Sequence, residues 1–96
     1  MRPENQKMKQ YLSENGIDVM PKFIWDGSLK GTWRLYNRNL VWHDNTPLWE
    51  KLTSLGFKDY NGDPLSWLSG NGGLFSVFAR FDRTKEFLPV CRVTPN

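Results

Sequence analysis

Residues 22–43, KFIWDGSLKGTWRLYNRNLVWH, alternate apolar and polar side chains over most of their length, and no other stretch constrains the fold as tightly. Period two marks a half-buried strand, because successive side chains leave opposite faces of the pleat. Asp26–Gly27 supplies a two-residue hairpin turn, since both residues accept the positive φ that such a turn needs. With that turn, Ile24 faces Leu29. A second turn at Asn37–Arg38 sets Leu35 opposite Leu40 and Trp33 opposite Trp42. The expected result is a meander of three strands with Ile24, Leu29, Gly31, Trp33, Leu35, Leu40 and Trp42 on its core face. Its other face carries Phe23, Trp25, Lys30, Thr32, Arg34, Tyr36, Val41 and His43.

Helical patterns flank this segment. PENQKMKQYLSENG, residues 3–16, opens on a proline suited to a first turn and closes on Gly16, suited to a left-handed cap. Its apolar side (Met8, Tyr11 and Leu12) is thin, so the helix is expected to lie over the core as a lid. In DNTPLWEKLTSLGF, residues 44–57, Thr46 is placed to cap and Pro47 to fill the first helical position. Leu48, Leu52 and Leu55 repeat at helical spacing, and Gly56 can end the helix with Phe57 folded back on Leu52.

The rest alternates turns and short elements. Residues 63–68 predict a short helical turn, LFSVFARF at 74–81 an interior strand, and EFLPVCRV at 86–93 an edge strand that tolerates Pro89. GNGG at 70–73 leads into a strand rather than a helix, and it lacks the lysine and hydroxyl of a nucleoside-triphosphate loop. It is expected to turn the chain. The fold class is α+β, a single domain over 1–96 in the order α-β-β-β-α-(short α)-β-β.

Composition narrows the function. With 96 residues, 39% of them hydrophobic, and five Trp, the chain can close one core, because aromatic rings bury much area each. The lone Cys91 forbids an internal disulfide and reads as a small apolar filler; the lone His43 excludes a multi-histidine metal site. No apolar leader opens the sequence, and no run approaches the roughly 20 apolar residues that span a bilayer. A soluble, cytoplasmic protein without cofactor, metal or membrane partner is expected.

Catalysis needs convergent polar groups, and few are available. His43 and Asp44 on a strand would point to opposite faces. Asp26, Asp44, Asp63 and Asp82 occupy turns and helix starts, where capping accounts for them. No serine sits in a nucleophile elbow. An enzyme is not expected.

The second face of the meander is the functional lead. Lys30 and Arg34 lie beside Trp25 and Tyr36, Arg38 follows in the next turn, and Arg80 can join from the 74–81 strand. Flat rings interleaved with positive charge hold single-stranded nucleic acid, the rings stacking on bases and the cations neutralising phosphates. The net charge of +3 permits such a partner. The expected function is therefore a non-enzymatic nucleic-acid-binding protein. Its alternative is a module that binds a host protein, as a phage- or plasmid-type accessory protein or inhibitor does, because the same residue types form interface hot spots. A purely architectural account competes with both: the N-terminal helix covers this face, and Trp25 and Tyr36 become satellite core with the bases at its rim. Trp49 and Trp67 are read as peripheral core.

Overall fold

In the computed structural model the described residues are 1–24, 31–67 and 72–89, so Trp25, Lys30, Cys91 and the Gly70–Asn71 half of GNGG lie outside them. Helix α1 (Pro3–Glu14) leads into strands β1 (Met20–Ile24) and β2 (Thr32–Tyr36). Helix α2 (Thr46–Ser54) follows, then strands β3 (Phe57–Lys58), β4 (Gly72–Gly73) and β5 (Ser76–Phe81), and the short helix α3 (Thr84–Phe87). The sheet is antiparallel in the order β1-β2-β5-β3, with β4 joined to β5 beside that path. The protein is a small α+β domain with its sheet on one side and its helices on the other.

Register explains which side is which. Phe23 pairs with Trp33 and Trp33 with Ala79; Pro21 pairs with Leu35 and Leu35 with Val77; Phe57 pairs with Phe81. Paired residues share a face. Trp33, Leu35, Val77, Ala79, Phe81 and Phe57 are buried on it, in one cluster with Met8 and Leu12 of α1, Trp49 and Leu52 of α2, and Phe87 of α3. Tyr11 packs against Phe81 and Phe87 with ring centroids 6.0 and 5.2 Å apart. Met8 and Leu12 are 0% exposed, so α1 is part of the core rather than the expected lid. Three long side chains on one turn-and-a-half are enough because the helix lies directly on the sheet.

The hairpin register departs from expectation. Asp26–Gly27 as a two-residue turn would put Ile24 opposite Leu29; instead Ile24 pairs with Thr32. The connection is longer, spanning residues 25–31. An odd offset exchanges the faces of a strand, so Phe23 belongs to the core side and Ile24 to the other.

The third strand of the meander does not form. Asn37 bends the chain at the end of β2: its side-chain oxygen accepts from Asn39 N–H at 2.7 Å, and its carbonyl accepts from the Trp42 indole N–H at 3.1 Å. Trp42, 1% exposed, enters the core from this loop. The apolar alternation at Leu40 and Trp42 records side chains dropping inward from a turn, not a strand. Val41 and His43, expected on the sheet's second face, are exposed in the same loop.

Smaller corrections follow from capping. Asn45, not Thr46, caps α2, its side chain accepting from Leu48 N–H at 3.3 Å. Residues 63–66 carry no helix, because Asp59 gathers the chain there by accepting from the amides of Asn61 and Asp63 at 2.8 and 2.9 Å. Glu86 and Phe87 end α3 instead of opening an edge strand, and the remainder of that predicted strand from 90 onward lies outside the described residues. Gly73 is in β4, and the hairpin turn falls on Leu74 and Phe75.

A buried hydroxyl ties α3 to the sheet. Thr84 Oγ1 accepts from the Trp33 indole N–H at 3.0 Å and lies 2.8 Å from the Phe81 carbonyl. Thr84→Val keeps the shape but leaves an indole donor without its partner in the core. The expected loss is about 1–3 kcal/mol, the cost of an unsatisfied buried polar group. Urea denaturation of the variant measures it, and a loss well below 1 kcal/mol would show that the bond contributes little.

Candidate nucleic-acid interface

All three helices contribute side chains to the cluster on one side of the sheet; on the other face Thr32 and Ser76 are buried, and the remaining strand side chains are exposed or half-buried. Pairing sorts that face into rows. Met20, Tyr36, Ser76 and Gly73 form the row nearest the β4–β5 turn; Lys22, Arg34 and Phe78 form the next; Ile24, Thr32, Arg80 and Lys58 form the third. Lys22, Lys58 and Arg80 are exposed, while Arg34, Tyr36 and Phe78 are half-buried. No carboxylate occupies a described strand position on this face.

Two features of the rows bear on chemistry. Lys22 sits directly opposite Arg34, and Arg80 directly opposite Lys58. Like charges in cross-strand register repel, which costs stability unless an anion lies between them. Among the described residues none of these four forms an ion pair, whereas Arg2, Lys9 and Arg83 each have a carboxylate within 4 Å. Arg80 is instead steadied by donating from Nη1 to the Tyr60 carbonyl at 3.1 Å. Ordinary strand spacing sets the two pairs roughly 12 Å apart on a diagonal, with the Phe78 ring between them.

The second feature is the rings. The Arg34 guanidinium lies 5.1 Å from the Tyr36 ring centroid, so a cation and a flat surface are held together. Of the residues expected from sequence, Arg34, Tyr36 and Arg80 therefore share one face, and Arg38 stands exposed in the turn just past Tyr36. Trp25 and Lys30 lie outside the described residues. Sequence reasoning missed Lys22 and Lys58. The hairpin slip concealed Lys22, and a two-residue strand such as β3 carries no periodicity by which to detect Lys58.

Other candidates resolve differently. His43 Nε2 and Asp44 Oδ2 approach to 3.4 Å, contrary to the strand argument, because Asp44 takes a left-handed φ of 58° in a turn. Both side chains are exposed, and the pair is a surface contact. Trp42, Trp49 and Trp67 form a run of rings with centroids 5.7 and 6.2 Å apart, and Trp49 is buried. Among the described residues, no three His, Cys, Asp or Glu side chains gather in a metal-binding group, and no helix is long and apolar enough to cross a membrane.

Comparison of the chain with family models, curated proteins and solved structures finds no match.

Proposed function

We propose that this protein binds single-stranded nucleic acid on the face of its sheet opposite the core cluster and performs no catalysis. The observation that carries the reading is the two cross-strand cation pairs, Lys22–Arg34 and Lys58–Arg80, which have no ion-pair partner among the described residues, with Phe78 beside Arg34 and Tyr36 in the next row outward. Two cationic sites on a diagonal suit a polyanion, and rings beside them suit bases that are free to stack. A duplex keeps its base faces stacked inside, and its major groove takes a helix or a two-stranded ribbon rather than a broad sheet. Single strands are the better match.

The test is fluorescence anisotropy with a short labelled single strand, competed by unlabelled duplex of the same sequence. Binding at low salt that resists the duplex competitor is expected. Absence of binding, or affinity unchanged in Lys22→Ala/Arg34→Ala, sinks the reading.

A protein partner is the second reading, favoured by one separate observation. Leu74 and Phe75 at the β4–β5 turn are 76% and 44% exposed. Large apolar side chains at a protruding turn suit a protein partner.

A further inference from the structure

Resting on that reading of the face, we propose that the notch at its end seats one purine base and gives the protein a base preference. The notch has a volume of about 300 Å3 and lies between the start of β1 and the turn that follows β2. That is the lower end of the range for small-ligand sites and is room enough for one base.

Its walls and rim have separate parts. Met20, 46% exposed, and the half-buried Tyr36 pair directly across β1 and β2 and supply apolar surface. Tyr36 also belongs to the binding face, so the notch continues the row of rings rather than standing apart. Asn37 builds the rim: its Nδ2–H donates to the Asp18 carbonyl at 2.7 Å while its Oδ1 accepts from Asn39 N–H at 2.7 Å. Both ends of the Asn37 carboxamide are thereby used, and the backbone of Asn39 is fixed. The Asn39 carboxamide itself, and the Arg38 guanidinium, are exposed and take no partner among the described residues. On the far side, Lys9 is already engaged, 3.6 Å from the Asp18 carboxylate and 3.3 Å from the Val19 carbonyl.

These unpaired groups have the right chemistry for a purine edge. A carboxamide offers a donor and an acceptor side by side, which matches adenine; a guanidinium offers two parallel donors, which matches guanine. The groups are mounted on a turn that the Asn37 bonds hold in place, so reading a base requires little ordering. A base can reach the notch only when unpaired and unstacked, which is the state of a single strand.

Short labelled homopolymers of the four bases, titrated at one salt concentration, test the assignment. Wild type is expected to prefer a purine homopolymer by roughly fivefold or more, the lower bound for one good side-chain–base pair. Asn39→Ala is expected to abolish the preference for the adenine homopolymer, and Asn39→Ala combined with Arg38→Ala the preference for either purine. Equal affinity of wild type for all four homopolymers, or a purine preference that survives the double variant, overturns the notch assignment while the face can still bind. Binding to none of them overturns the reading of the face itself.

Discussion

Lys22→Ala/Arg34→Ala is expected to weaken single-strand binding by more than tenfold at low salt and to flatten its salt dependence. If Lys22, Arg34, Lys58 and Arg80 each neutralise a phosphate, log K falls against log[salt] with a slope near −3, about −0.7 per phosphate on a single strand. Between 50 and 200 mM salt the wild type then loses about 50-fold in affinity and the double variant only about sevenfold. Stability is expected to change little. Relief of like-charge repulsion, about 0.2–1 kcal/mol, is opposed by loss of the Arg34–Tyr36 contact, about 0.5–1 kcal/mol. A face that served only as architecture would have no salt-dependent binding to lose. Titrations across salt, paired with a denaturation curve, decide the matter, and an unchanged slope counts against phosphate contact by these two residues.

Gly56→Ala is the substitution expected to damage the fold most for the fewest added atoms. Gly56 holds φ at +109°, a region that L side chains rarely adopt, and a Cβ there would overlap the Asp82 carboxylate Oδ1. The backbone cannot easily withdraw, because Asp82 N–H donates to the Gly56 carbonyl at 3.1 Å. Strain of this kind costs about 1–3 kcal/mol, and the exposed Asp82 carboxylate can swing aside to relieve most of the overlap, so the expected loss stays within that range. Combining Gly56→Ala with Asp82→Ala removes the overlap and leaves the dihedral, so part of the loss should return. Urea midpoints of the two variants separate the contributions. A loss below about 1 kcal/mol in the single variant would mean the junction between α2 and β3 relaxes freely.

The alternation in TWRLY and SVFARF was legible as it stood: Trp33, Leu35, Val77, Ala79 and Phe81 all point into the core. The ends of α1 and α2 were legible within a residue, because proline and glycine act locally, whereas α3 was not, its residues reading as a turn and the start of a strand. Register was not. Asp26–Gly27 resembles a tight turn, but turn chemistry is a local preference, and the pairing of Phe23 with Trp33 answers to burial across the whole sheet. Nor could sequence show that β5 lies beside β2, a contact between distant segments. The binding face was half legible for the same reasons. Arg34 and Tyr36 share a strand and thus a face. Arg80 joins them through long-range pairing, and Lys22 joins them only in the register that burial selects.

The stretch from Asn37 to Trp42 looks like an ordinary surface connection, the kind of place where extra residues are usually tolerated. Its bonds give it a different character. Asn37 N–H donates to the Phe75 carbonyl at 2.9 Å, its side chain reaches the Asp18 carbonyl, and its own carbonyl holds the buried Trp42 ring. Four parts of the chain meet at one asparagine. For anyone grafting a tag or peptide into this scaffold, the two anchors at Asn37 and Trp42 have to stay in place, and only the exposed residues between them, Arg38, Asn39 and Val41, are free to change.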